Sequence, residues 1–393
     1  MGVLACSKPK DSTESPAPVS PDLSSQIPPV TPSYAPAHSS LRCAECHGPI
    51  AKDWNESAHA RAANSPLYLA MQQVAGQKNR ESCDKCHTPL HSLVEPLSPL
   101  ISEGVSCEVC HSISDIREEA FGVRASYSLS ENIKMGFRCG AKDNYFHKVG
   151  CSPQFKQSIL CAPCHSWAMP RESGEALWVF SDYNEWKSST FNSISCQDCH
   201  MPTLVDEVAV GWEKKAQVGH HGMMGEDLGL RTQAIRLRGR VEAQGLKLSI
   251  ALDIKNTGAG HKVPGGLPGR QMVLRIILLD KSGAEVQRRE RIYERRLVSA
   301  KGEEVPFFQA EREDKDTRLS PGEARPELFE FDYKEQGSFR IALLWRSIAP
   351  KIGDEIHITP EERTLFGISV PFGAHAPGRA RREMLPKAIA VKP

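Results

Sequence analysis

With 393 residues the chain has room for two domains of ordinary size, and its 49 basic and 48 acidic side chains leave a formal charge of +1. That balance is not informative about a partner, and nothing in the sequence looks like a nucleic-acid surface. No stretch approaches the run of about eighteen apolar residues that marks a membrane-spanning helix.

The chain begins MGVLAC, in which Val3-Leu4-Ala5-Cys6 resembles a bacterial lipobox. Residues 1–6 are therefore read as the remnant of an export signal, with Cys6 lipidated and the membrane met through that anchor. The alternative is an incidental cysteine in a truncated start. Residues 7–40 are rich in Pro, Ser and Thr, with almost no large apolar side chains. Such a stretch cannot bury enough surface to fold, which predicts a disordered tether with His38 as a solvated tail residue.

Residues 41–225 carry one pattern five times: CAECH (Cys43, Cys46, His47), CDKCH (Cys83, Cys86, His87), CEVCH (Cys107, Cys110, His111), CAPCH (Cys161, Cys164, His165) and CQDCH (Cys196, Cys199, His200). Each is C-x-x-C-H, the attachment signature of a c-type haem. Two thiols three positions apart add across the two vinyl groups of one porphyrin, and the histidine that follows is held beneath the iron as proximal ligand. Zinc would account for paired thiols but not for a histidine in the same place every time. Histidine is 14 of 393 residues, so five accidental placements have odds on the order of one in ten million. A thioredoxin-type C-x-x-C calls for one copy near a βαβ pattern.

The expectation is five haem c groups, with their irons, forming the interior of this domain in place of a side-chain core. Short helices and loops would wrap them, the helices starting near the second cysteine of each motif, with two more over 54–73 and 183–191. Trp54, Trp167, Trp178, Tyr183 and Trp186 are expected to pack on the porphyrins. Cys139 and Cys151 stand in the long interval between the third and fourth motifs, and two such cysteines in an exported protein predict a disulfide that closes this loop.

From about Arg231 the pattern changes to period two. Leu246, Leu248, Ile250, Leu252 and Ile254 alternate with polar residues, after Ile235, Leu237 and Val241 and a Gln244-Gly245 turn. Further strand-like runs cover 272–279, 291–298, 327–333 and 339–345. Residues 226–393 are thus expected to form an antiparallel, Ig-like β-sandwich with a solvated basic tail, and the chain as a whole to be α + β, with a mostly helical and coil haem domain first.

Removing the five proximal histidines from fourteen leaves nine, enough to supply a second ligand to every iron. The candidates are His59, in W-x-x-S-x-H-A; one of His220 and His221, in VGHHGMMG; His261, in the Gly-rich loop NTGAGHKVPGG; and His147 and His91. His261 fits a loop of the β-domain that reaches over to a haem and couples the two domains. Met223 or Met224 could ligate instead and raise that haem's potential.

The stretch CAECHGPIAKDWNESAHA resembles the first haem segment of the cytochrome c-554 type multihaem proteins. SILCAPCH, YNEWKSS leading to ISCQDCHMP, and the later GHHG resemble further parts of the same family. NTGAGHKVPGG and DTRLSPGEAR look like the C-terminal β-sandwich attached to many such cytochromes. The resemblance covers roughly residues 41–346 and implies that His59, one of His220 and His221, and His261 are distal ligands. It also implies closely packed haem pairs and electron transfer in the periplasm or at the cell surface. The name-giving type has four haems, so its pairing does not carry over whole.

Three functions compete. The first is an electron carrier with every haem six-coordinate, passing electrons between redox protein donors and acceptors as a periplasmic or outer-membrane, cell-surface lipoprotein. The second is an oxidoreductase with one open iron acting on nitrite, hydroxylamine or a sulfur oxyanion. The third is a subunit of a conductive haem filament. No C-x-x-C-K copy is present, which favours the carrier, and the oligomeric state is not legible.

Overall fold

The computed structural model describes residues 38–129, 132–140, 143–170, 175–211, 216–244, 247–333 and 335–372. Cys6, residues 7–37 of the expected tether, and the basic tail from 373 lie outside them. The described chain forms two compact units. One runs to Tyr183 and resumes over Ser193–Glu226; it bears all five C-x-x-C-H copies and is called the motif unit below. The other takes Asn184–Asn192 and the chain from Asp227. Among the described residues no helix is long and apolar enough to cross a membrane.

The motif unit contains α1 (Ser40–Ala44), α2 (Gly48–Asn55), α3 (Pro66–Ala75), α4 (Gln77–His87), α5 (Pro99–Ser102), α6 (Cys107–His111), α7 (Ala162–His165) and α9 (Cys196–His200), while α8 (Asp182–Lys187) runs from it into the second unit. In four motifs the helix ends on the histidine, and α6 and α9 begin on the first cysteine. The expected starts at the second cysteine are corrected accordingly. A helical turn places i and i+3 on one side, which is where two thiols must stand to hold one ring. Ser195 and Asp198 form a reciprocal capping box that starts α9 on Cys196.

The helix expected over 54–73 is interrupted. α2 stops at Asn55, turns follow, and Pro66, which has no N–H to give and restricts Ser65 to extended backbone, starts a new helix with Ser65 as its cap. The tether is also shorter than expected. Ser40 is buried, Ser39 caps α1, and the His38 backbone N–H donates to Glu108. His38 is not a solvated tail residue: its ring bonds Asn132, and burial holds its pKa below the usual value.

Strands occur in this unit beyond those expected. β1 (Ile113–Glu119), β2 (Gly122–Tyr127), β5 (Trp167–Pro170) and β6 (Ala176–Phe180) form a four-stranded sheet in the order β1-β2-β5-β6. β3 (Ile133–Gly136) pairs in parallel with β4 (Lys148–Cys151), and β7 (Thr203–Asp206) pairs with β8 (Ala216–Gly219). The sulfurs of Cys139 and Cys151 are bonded.

The second unit has α10 (Leu228–Ala234), β9 (Ile235–Gln244), β10 (Lys247–Asn256), β11 (Gln271–Asp280), β12 (Glu285–Val298), β13 (Arg312–Asp316), β14 (Ala324–Asp332), β15 (Gly337–Arg346), α11 (Pro350–Glu355) and β16 (Glu362–Phe372). A three-stranded sheet, β14-β10-β9, and a five-stranded sheet, β13-β12-β11-β15-β16, share one apolar core. Leu248, Ile250, Leu252 and Ile254 of β10 meet Met272, Leu274, Ile276 and Leu278 of β11 there, together with Phe329, Phe331, Phe339 and Ile341. The alternation along β10 is that of a strand with one face inward.

The segment Asn184–Asn192 joins this two-sheet unit, a contribution that the expected boundaries 41–225 and 226–393 did not include. Glu185 accepts from the Lys262 backbone N–H at 2.9 Å and pairs with buried Arg318 at 2.7 Å. A Cβ on Gly260 would stand 3.0 Å from Trp186 and 3.1 Å from Phe191, so glycine lets the loop lie against this segment.

Candidate functional site

The motif unit brings histidines together in pairs, each joining a motif histidine to one far away in sequence. Ring centres lie 6.4 Å apart for His47 and His147, 6.3 Å for His59 and His165, and 6.4 Å for His111 and His221. An iron bound by two imidazole nitrogens at about 2.0 Å, each ring centre about 1.1 Å further back, would set the centres roughly 6.2 Å apart. The three spacings fit a metal held between the rings and are too long for direct stacking.

The hydrogen bonds of these rings point the same way. Nδ1 of His47 meets the Val208 carbonyl at 2.6 Å, that of His111 the Met135 carbonyl at 2.6 Å, that of His147 the Lys148 carbonyl at 3.0 Å and that of His221 the Gly219 carbonyl at 2.7 Å. A carbonyl only accepts, so Nδ1 carries the proton and Nε2 the lone pair. That tautomer, fixed by a backbone acceptor, is the usual state of a histidine that binds a metal through Nε2. His87 shares it through the Ala62 carbonyl at 2.7 Å, His91 through Thr88 at 3.0 Å and His261, in the two-sheet unit, through Lys262 at 2.9 Å.

His220 and His221 separate cleanly. The His220 Nδ1 accepts from the Gly222 N–H at 3.2 Å, and its Nε2 lies 3.7 Å from Asp53. Its proton therefore sits on Nε2, the wrong nitrogen for a ligand of the kind its neighbour would make.

Burial favours the neutral form of His59 and His221. It lowers His59 to about 4, with His165 and His200 adding to the effect, and lowers His221 to about 4, with His111 adding. A neutral imidazole is the form that ligates. At His165 burial acts downward, but Asp182 beside Nδ1 outweighs it and the pKa is raised. The His59 Nδ1 is buried without a hydrogen-bond partner. Backbone holds this ring in place: the His59 carbonyl accepts from Ala62 and Val105, and a Cβ on Gly104, which has φ +66°, would stand 2.7 Å from that oxygen.

The motif thiols also converge. Cys43 lies within hydrogen-bond reach of Cys107, Cys86 of Cys164, and Cys161 of Cys196, so the first motif adjoins the third and the fourth adjoins both the second and the fifth. Burial pushes the Cys110 thiol up to about 12. Buried serine hydroxyls at Ser106 and Ser112, on either side of the third motif, have no partner.

The second motif differs from the first, third and fourth. Among the described residues no histidine ring pairs with His87, whose ring stacks on Tyr68 with centres 3.9 Å apart and planes at 10°. The Tyr68 hydroxyl donates to Asp84 at 3.1 Å and accepts from Gln72 at 2.7 Å. Tyr68 was not singled out by sequence; its place two residues after Pro66, in a helix facing the second motif, was the available signal. His91 forms no histidine ring pair among the described residues.

Residues 42–112 match the sequence model of the family of cytochrome c554 and c-prime. A penta-heme cytochrome c552 from Thermochromatium tepidum has the same fold: TM-score 0.71 at 20% identity, over 86% of this chain and 99% of that one. A structure described as the ApaA protein from Bordetella pertussis aligns with 35% of this chain and 89% of its own, at 10% identity and a TM-score of 0.19, too low to bear on the fold. No curated protein sequence matches the chain. With the repeated C-x-x-C-H signature and the paired histidines, these findings define a c-type cytochrome. The match over residues 42–112 and the shared fold support a multihaem c-type cytochrome.

Proposed function

We propose that the chain binds five haem c groups, through Cys43 and Cys46, Cys83 and Cys86, Cys107 and Cys110, Cys161 and Cys164, and Cys196 and Cys199, and works as an electron carrier between redox proteins. The observation that carries this reading is the set of three histidine pairs at 6.3–6.4 Å. His47 and His147, His165 and His59, and His111 and His221 are assigned as axial pairs, with His87 and His200 the proximal ligands of the second and fifth haems. His261 carries its lone pair on the ligating nitrogen, and His261→Ala tests it: unchanged low-spin spectra would remove it from the ligand set. The penta-heme protein of the same fold supports the count of five, and the two sheets that share a core support the β-sandwich reading.

Each haem, when bound, supplies one-electron exchange at iron. The chain's own residues do the rest. Backbone carbonyls of Val208, Met135, Lys148 and Gly219 hold the imidazoles in one tautomer and one orientation. Where a haem is held between two of these imidazoles, the paired nitrogens would exclude water and small anions from its iron. Close thiols of neighbouring motifs support short haem-to-haem steps along the order first–third and second–fourth–fifth. Export to the periplasm or cell surface, with Cys6 as a lipid anchor, remains part of the proposal, since thioether attachment takes place outside the cytoplasm.

A second reading is favoured by one observation: among the described residues the His87 ring stacks on Tyr68 and has no histidine ring across from it, while the first, third and fourth motifs each have one. In this reading the second haem is open on one side and binds nitrite, hydroxylamine or a sulfur oxyanion. Low-temperature EPR of the oxidised protein separates the two. The carrier gives low-spin signals throughout, whereas a high-spin signal that shifts with nitrite or cyanide selects the open second haem. The signals should also differ among themselves. The His59 and His165 planes are at 87° and those of His111 and His221 at 21°. Crossed rings leave two iron d orbitals nearly equal in energy and give a strongly anisotropic low-spin signal, while near-parallel rings give a rhombic one.

A further inference from the structure

Cys139 and Cys151, outside the five motifs, are joined with their Cα atoms 5.0 Å apart. The bond closes the end of the parallel pair β3 and β4, in which Gly136 is in register with Cys151. Two ligand positions hang on this pair. On β3 the Met135 carbonyl accepts Nδ1–H from His111, and Lys134 pairs with buried Glu108 of the third motif at 2.7 Å. Immediately before β4, His147 sets its ring opposite that of His47.

Little apolar burial holds this loop. Tyr145 is 37% exposed and Phe146 53% exposed, directly before His147. The backbone N–H of His147 donates to Asn144 Oδ1 at 3.1 Å and that of Val149 to Asp143 Oδ1 at 2.8 Å, both local bonds, and Asn132 adds longer ones, donating to the Phe146 carbonyl at 2.9 Å and accepting from the Lys148 N–H at 3.1 Å. A parallel pair of four residues a side is weak by itself, because parallel strands need a long connection and gain few hydrogen bonds.

We propose that the Cys139–Cys151 disulfide is a positioning device for the axial ligands. By locking β4 onto β3 it keeps His147 opposite His47 and, on the same covalent loop, keeps the Met135 carbonyl on His111. Neither cysteine touches an iron; both act through the strands. The inference rests on the assignment of His147 as the distal ligand of the first haem, and it adds that a crosslink helps to hold this ligand in place.

The test uses the full-length holoprotein. The double variant Cys139→Ser, Cys151→Ser is expected to keep all its haem by pyridine haemochrome assay but to show one low-spin ferric signal partly converted to high-spin. Cyanide should then occupy that site roughly tenfold to a hundredfold faster, the freedom that opening a loop of this length returns to the chain. Mature wild-type protein treated with a trialkyl phosphine gives the same answer without refolding. The phosphine cleaves the S–S bond to two thiols and becomes its oxide with oxygen from water, and the haems are returned to the ferric state before spectra are taken. His147→Ala separates two failures. If that variant turns one haem high-spin while the cysteine variant and the phosphine leave spectra and cyanide binding unchanged, the disulfide does not position the ligand and the inference falls alone. If His147→Ala changes nothing, the ligand assignment fails and the inference falls with it.

Discussion

The two-sheet unit fills its interior with its own side chains: Ile250, Ile254, Met272, Leu274, Ile276, Leu278, Phe339 and Ile341 are all fully buried in one cluster. In the motif unit, of the twelve largest fully buried side chains among the described residues, only Leu90 is found. Its buried polar groups are instead numerous, with Ser57, Asp84, Ser106, Glu108 and Ser112 within or beside the motif and ligand segments. One interior is made of apolar surface removed from water, and the other is arranged around groups that need a partner. The contrast teaches that the two-sheet unit owes its stability to packing, while the polar interior of the motif unit fits the haem groups proposed for it.

The widest break of this comparison comes from withholding haem. Chain produced in cells that cannot attach it should lose the motif unit as a protease-resistant body while the two-sheet unit survives. Limited proteolysis with mass measurement should return fragments lying within Asp227–Phe372. A haem-free chain resistant along its whole length would end the distinction.

Next in size is a cavity in the packed core. Phe339→Ala should destabilise the two-sheet unit by about 3–5 kcal/mol, since Phe339 is fully buried and touches Phe331 and Phe372. Denaturant unfolding followed by the circular dichroism of the strands would measure it. The haem absorption spectrum of the folded protein should not move, because that core supplies no axial ligand.

A sharper probe is the pair of adjacent histidines. His221→Ala should turn the third haem from low-spin to high-spin, whereas His220→Ala should leave the EPR spectrum unchanged and cost only the contact with Asp53. The reverse outcome would mean that the hydrogen bond from Gly222 does not decide which ring can ligate.

How much of this was legible in the sequence depended on whether the signal was local. The five motifs, the period-two alternation of β10 and the apolar runs of β11 and β15 are local, and those strands fall where the runs predict. The partners of the motif histidines are not local, because pairing is made by the fold: His47 meets His147 across most of the unit. The choice of His221 over His220 needed a tautomer, which only a hydrogen-bond partner reveals. β13, with the sequence REDKD, escaped because an exposed edge strand is charged to discourage further pairing and so shows no alternation. The sheet formed by β1, β2, β5 and β6 escaped because its short strands are broken up by motifs and turns, and Asn184–Asn192 because its attachment runs through Glu185 to residues far along the chain.

The smallest expected effect lies at that attachment. Asp316 accepts from Arg318 at 2.9 Å and from Lys262 at 2.8 Å. Burial alone would raise its pKa, but these two cations outweigh it and hold the carboxyl at about 2, below the ordinary 3.8. A carboxyl that protonates less readily in the folded chain than in the unfolded one stabilises the fold above pH 3.8, and the contribution drains away as the pH falls towards 2. With solvent screening the amount is about 1 kcal/mol. Asp316→Asn should therefore lower the unfolding midpoint of the two-sheet unit slightly at neutral pH and flatten its decline on acidification through that window. A slope unchanged from wild type would show that Glu185 alone satisfies Arg318, and the haem spectrum should be indifferent to the change either way.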